Sequence, residues 1–197
     1  MKFFKENSYD IVRLLINQLG ITIFSLVLYT AAGFIEDEAL NLKVRIILSV
    51  FATVFYFALL YTVCWDYGAK DKIRIDSGRY SATKFKGLIM SLISAVPTLL
   101  LSLICVLSML IYITGGAEAF YTVFGIANLL LRFISSMYLG ILQGVFSGLA
   151  YDMNLKFLWE SVGYLVMPFI AALVCHLGYF LGRREKKILS LFSAKRK

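Results

Sequence analysis

The side chains that could do chemistry in this sequence are few, and the first to consider is a thiol beside an imidazole. His176, the one histidine of the chain, directly follows Cys175. A cysteine nucleophile needs its thiol to face the base, but adjacent residues on a helix point about 100° apart. We therefore expect His176 to be a helix-packing residue bonded to a carbonyl, with a proton-linked site as the alternative.

The motifs of other catalytic centres are missing from the sequence. A zinc protease needs His-Glu-x-x-His, which a chain with one histidine cannot supply. The chain also has no Gly-x-Ser-x-Gly elbow, no phosphate-binding loop and no paired carboxylates within its apolar segments. These absences predict no catalytic residue, no metal site and no cofactor, so an intramembrane enzyme is only the third functional hypothesis.

Arg132 is the charged residue that lies deepest within an apolar segment. An ionisable side chain there costs about 3 kcal/mol on insertion scales and is a functional hypothesis by default. No acidic residue lies at the middle of another apolar segment, so the sequence names no ion-pair partner. With Asn128 and Ser136, four residues to either side, Arg132 forms a candidate site for an anionic small molecule. The alternatives are a snorkelling side chain, a break between two short helical pieces, or pairing with another subunit.

The same four-residue row continues with Gly140, Gly144 and Gly148. Four residues advance an α-helix by slightly more than one turn, so the row forms a gently spiralling ridge. Small residues at this spacing let a second helix approach closely within a membrane. The three glycines are therefore predicted to pack against another helix.

The composition indicates a membrane protein. Of the 197 residues, 60% are hydrophobic, which is more apolar surface than a globular domain of this size needs. The sequence predicts an all-α, polytopic helical membrane protein that forms one integral membrane domain over residues 1–197. Its five apolar segments are 11–34, 44–65, 87–113, 120–151 and 161–182.

Positive charge is concentrated in a loop, residues 66–86, and in a C-terminal tail, residues 183–197. Such clusters mark the cytoplasmic side of a membrane protein, so we expect a cytoplasmic loop in a cell-membrane protein, with no nucleic-acid partner. Clustered bases near a bilayer also attract anionic lipid headgroups. The candidates for docking lipid, or another membrane or cytoplasmic subunit, are Lys70, Lys72, Arg74 and Arg79.

Local patterns predict four further features. Alternating residue types around Ser77 and Gly78 favour a short β-hairpin over residues 72–80. Pro97 should kink the third helix, and residues 152–160 are expected to form a loop of mixed polarity. The three cysteines, each in or at the edge of an apolar segment, are typical of reduced, buried small hydrophobes and do not suggest a disulfide; they are Cys64, Cys105 and Cys175.

The two basic clusters conflict in topology. Both favour the cytoplasm, yet three apolar segments separate them, and three crossings would put them on opposite sides. The fourth segment, residues 120–151, would reach nearly 50 Å as one helix, against a hydrocarbon core of about 30 Å. A break or re-entrant turn near residues 132–136, giving up to six crossings, would remove the conflict. The alternative is five plain crossings with one basic end outside.

Two functional hypotheses lead. The first is a non-catalytic transporter, or the membrane subunit of a transport complex, because kinked helices and polar patches form the midplane sites of transporters. In size and hydropathy the chain is similar to the substrate-binding subunits of vitamin transporters. The second is a membrane-anchored binding or regulatory protein that acts through its basic loop and tail.

Overall fold

The computed structural model describes residues 2–78, 84–116, 118–148 and 152–185, and all regular structure in these ranges is helical. This confirms the predicted all-α class. Between α5 and α6 lies a single 3₁₀ turn, Ser136–Tyr138. The helices are α1 (Lys2–Ala32), α2 (Glu38–Asp76), α3 (Lys86–Ser94), α4 (Val96–Gly115), α5 (Glu118–Ile134), α6 (Leu139–Phe146) and α7 (Met153–Arg183).

Four of these helices are long and apolar enough to cross a membrane, namely α1, α2, α4 and α7. A fifth span is possible by length if α5 and the segment Ser136–Phe146 are taken together, but the two are bent by 88° at the residue between them. The break near residues 132–136, one of the two alternatives that the sequence left open, is therefore present in the structure. The fourth apolar segment corresponds to the bent pair, and each of the other four overlaps one of the long helices.

Proline divides the third apolar segment more completely than a kink would. The segment separates at Ala95 into α3 and α4, with Pro97 in the first turn of α4. Proline is well tolerated there because the first turn has no intrahelical acceptor for its missing N–H. The Ser94 hydroxyl donates to the Ser91 carbonyl at 2.8 Å, which satisfies an acceptor at the end of α3.

Two local predictions are wrong. The expected hairpin at residues 72–80 is helical as far as Asp76, because side-chain ion pairs to Asp66 and Asp71 on the same helix support further turns. Of that segment, Arg79 and Tyr80 lie outside the described residues. The expected loop at 152–160 is the start of α7, because the Asp152 carboxylate accepts the Asn154 backbone N–H at 3.0 Å and caps the helix.

The chain divides into two compact units, each built from separated segments. One unit takes Met1–Leu14, Phe57–Ser94 and Phe169–Lys197, and the other takes Leu15–Tyr56 and Ala95–Pro168. We call them the charged-end unit and the broken-helix unit. In the charged-end unit α2 and α7 pack backbone to backbone, because a Cβ added at Gly68 or Gly182 would overlap a main-chain carbonyl of the other helix.

Candidate functional site

In the broken-helix unit, side-chain hydroxyls from α1 and α2 donate hydrogen bonds to backbone carbonyls at the break between α5 and α6. The Thr22 hydroxyl donates to the Ile134 carbonyl at 2.7 Å. Ser49 and Thr53 donate to the Met137 carbonyl at 2.6 Å and 3.0 Å. A backbone carbonyl without a partner costs several kcal/mol in hydrocarbon, so these hydroxyls replace the hydrogen bonds that the helix loses where it bends.

Ser136 is part of this hydrogen-bond network at the break, so its hydroxyl is not available to bind a ligand. Its side chain is buried, its hydroxyl donates to the Thr22 carbonyl at 2.8 Å, and it is 2.6 Å from the Ser25 hydroxyl. Asn128 is half-buried on α5, one turn before Arg132. The predicted trio is therefore split: Asn128 and Arg132 share a face of α5, whereas Ser136 lies past the break.

Arg132 forms an ion pair that the sequence did not predict. Its Nη2 donates to Oε2 of Glu160 at 2.7 Å, and the two side chains are 28% and 5% exposed. The expectation of no acidic partner is wrong because α7 begins at Met153, which places Glu160 about two turns inside a helix. The guanidinium carbon also lies 5.8 Å from the centre of the Phe157 ring.

The glycine row packs at two of its three positions. An added Cβ at Gly140 would overlap the backbone carbonyl of Arg45, and one at Gly144 would overlap the end of the Ile46 side chain. At Gly148 nothing lies within 4 Å of such a Cβ. Helix α6 thus contacts α2 through Gly140 and Gly144, and Gly148 makes no close approach.

The charged-end unit contains a buried ion pair that sequence reasoning missed. Lys86 Nζ is 2.6 Å from Oδ2 of Asp71, and the two side chains are 2% and 3% exposed. The Tyr179 hydroxyl donates to the same oxygen at 2.9 Å, and Arg74 lies 3.7 Å from Oδ1. The sequence signal for this pair is the position of Lys86 at the start of an apolar segment. It was missed because Lys86 was counted among the charges of the preceding loop.

The residues predicted to dock lipid are engaged with acids of the chain. Lys70 pairs with Asp66 at 2.7 Å and Lys72 with Glu185 at 2.8 Å. Arg74 lies near Asp71, as described above, and Arg79 is outside the described residues. The pairs of Lys70 and Lys72 are exposed to solvent, which screens them, so they leave these basic charges available to a ligand.

The cysteine prediction is wrong for two of the three residues. Cys64 and Cys175 form a disulfide, with Cα atoms 5.4 Å apart, whereas Cys105 is free and buried. The close packing of α2 on α7 brings the two cysteines together although 111 residues separate them. Because its sulfur is bonded, Cys175 cannot form a nucleophilic pair with His176, whose ring lies 5.5 Å from that of Phe85.

The geometry defines an all-helical protein compatible with a multi-pass membrane protein. Among the described residues, no group of three or more His, Cys, Asp or Glu side chains could hold a metal ion. No family model matches the chain, and no curated protein or solved structure shows significant similarity to it.

Proposed function

We propose that this chain is a non-catalytic membrane protein of the transport class, either a small transporter or the membrane subunit of a transport complex. The observation that supports this function is the bent pair α5–α6, with its 88° break next to Arg132 and Glu160. Transporters use broken helices to place polar groups near the middle of the bilayer. Irregular backbone at that depth is tolerated only where protein or a watery cavity surrounds it.

Ion pairs within the charged-end unit support a re-entrant path for α5–α6. Lys72 pairs with Glu185, so α2 and α7 end on the same side of a membrane. Lys86 pairs with Asp71, so α3 begins on that side too. If α3 and α4 together cross once, α4 ends on the opposite side, which is also where α7 begins. The bent pair then starts and finishes on one side, so it enters the membrane and returns.

This path removes the conflict between the two basic clusters. With four crossings and one re-entrant hairpin, residues 66–86 and the tail at 183–197 lie on one side, as the positive-inside rule favours. We assign that side to the cytoplasm of a cell-membrane protein. The basic residues there would face anionic lipid headgroups or a partner subunit.

Arg132 is the residue through which an anionic substrate would bind. Its Nε is buried and has no hydrogen-bond partner among the described residues, so the guanidinium retains a donor beyond its bond to Glu160. An entering anion would compete with the Glu160 carboxylate for this cation. The amide of Asn128, on the same face of α5, could contribute a further hydrogen bond.

Ligand-induced stabilisation tests this function even while the substrate is unidentified. The purified protein would be heated with inorganic phosphate, sulfate, or short mono- and dicarboxylates, each added singly. An anion at a hundred times its Kd should raise Tm by roughly 5–10 °C. Arg132→Gln should abolish the shift, whereas Lys43→Gln, at an exposed lysine of α2, should keep it. The proposal fails if no anion in the panel stabilises the protein, or if Arg132→Gln responds like the wild type.

A further inference from the structure

A polar pocket in the charged-end unit lies between α1 and α2. Its volume is about 270 Å³, which is room for roughly nine water molecules at about 30 Å³ each. The side chains that line it follow helical spacing, so each helix contributes one stripe. Those from α1 are Tyr9, Asp10 and Arg13, and those from α2 include Tyr67, Lys70 and Arg74.

The position of the Tyr67 hydroxyl indicates that the pocket is a ligand-binding site. The residue is only 4% exposed, and its hydroxyl lies near the Arg13 side chain without a well-formed hydrogen bond to any described residue. The charged groups acting on it are Asp10 and Arg13, both in the pocket wall. Buried polar groups in folded proteins almost always have a partner, so a bound group that accepts a hydrogen bond would complete this site.

The charges of the pocket specify the chemistry of that group. Asp71, which also lines it, is already neutralised by buried Lys86. Lys70 is held only by an exposed ion pair, with side chains 56% and 47% exposed, which solvent screens. Three cations therefore face one uncompensated carboxylate, that of Asp10. This arrangement fits a phosphate diester on the cations and the Tyr67 hydroxyl, with an ammonium group on Asp10.

The position of the pocket indicates where such a group comes from. Tyr67 lies just past the second apolar segment, 44–65, and Tyr9 just before the first, 11–34. Tyr9 is also 75% exposed. Tyrosines at the ends of apolar segments are typical of the level of the lipid headgroups. We propose that the pocket binds the headgroup of a phosphatidylethanolamine, with its phosphate on Arg13, Lys70 and Arg74.

Native mass spectrometry of the full chain tests this assignment. The protein would be titrated with phosphatidylethanolamine, phosphatidylcholine or phosphatidylglycerol of identical acyl chains. Phosphatidylethanolamine should bind about tenfold tighter than phosphatidylcholine, because only its ammonium can donate N–H bonds to Asp10. Asp10→Asn should remove this preference, and Arg74→Gln should weaken binding of phosphatidylethanolamine about tenfold.

Two further variants separate a built site from a generally basic surface. Tyr67→Phe should weaken phosphatidylethanolamine binding and leave the lipid-free Tm within a few degrees of the wild type, because within the described residues the hydroxyl gives up only its interaction with Arg13. Lys84→Gln removes one positive charge from the same basic loop at an exposed residue outside the pocket, so it should bind lipid normally. The proposal is overturned if phosphatidylglycerol binds tighter than phosphatidylethanolamine, if Lys84→Gln loses as much affinity as Arg74→Gln, or if neither Asp10→Asn nor Tyr67→Phe changes binding.

Discussion

Glu160→Ala should destabilise the protein by about 3 kcal/mol, because it leaves the partly buried Arg132 guanidinium without its counter-ion. Arg132→Met should also destabilise the protein, because it leaves the Glu160 carboxylate, whose side chain is 5% exposed, without its cation. Reversible unfolding in mixed micelles measures both effects, and Tm should fall by roughly 6–12 °C for Glu160→Ala.

The double variant Arg132→Met with Glu160→Leu isolates the interaction. With both charges gone and the volume filled, stability should return to within about 1 kcal/mol of the wild type. Glu118→Ala is the matched control, since Glu118 is exposed on α5 and its loss should cost under about 0.5 kcal/mol. Equal losses for Glu160→Ala and Glu118→Ala would show that the ion pair does not support the fold.

Among alanine substitutions in the glycine row, Gly140→Ala should cause the largest loss of stability. The new Cβ would overlap the Arg45 backbone carbonyl, and a backbone cannot move aside without shifting a helix. We expect a loss of about 3 kcal/mol, the upper range for overpacking. Gly144→Ala should cost less, because its Cβ meets the end of the Ile46 side chain, which can change rotamer.

Gly148→Ala is the internal control for this series. No atom lies within 4 Å of the added Cβ there, so the substitution should leave stability within about 0.5 kcal/mol of the wild type. The order of loss, measured by the same unfolding assay, should be Gly140, then Gly144, then Gly148. Similar losses at all three positions would mean that α6 does not pack against α2 as described.

The all-α class was predictable because it follows from patterns within single stretches of sequence, whereas the broken fourth segment was one of two alternatives that the sequence left open. Long apolar runs predict helices. An arginine inside one run, together with the parity of the basic clusters, raised a break near residue 132 as an alternative to five plain crossings. The errors were loops predicted to be longer than they are. At the start of α7 and at the end of α2, polar residues were assigned to loops, although both helices extend well past their apolar parts.

Partners between distant segments were not predictable from the same patterns. The Glu160 partner of Arg132 was missed because the helix boundary was placed after it. The disulfide of Cys64 and Cys175 depends on how α2 meets α7, which spacing alone does not show. One available signal was overlooked: Gly178 and Gly182 have the four-residue spacing of close helix packing, and in the structure both approach backbone carbonyls of α2.

Site-directed labelling with a membrane-impermeant maleimide tests the central claim most directly, which is that α5–α6 enters the membrane and returns. Single cysteines would be introduced by Glu36→Cys, Ser77→Cys, Glu118→Cys and Ser147→Cys, all at exposed positions, with Cys105→Ala to remove the one free thiol among the described residues. In sealed vesicles of known orientation, positions 36, 118 and 147 should label from one side and position 77 from the other. Labelling of positions 118 and 147 from opposite sides would contradict the re-entrant hairpin.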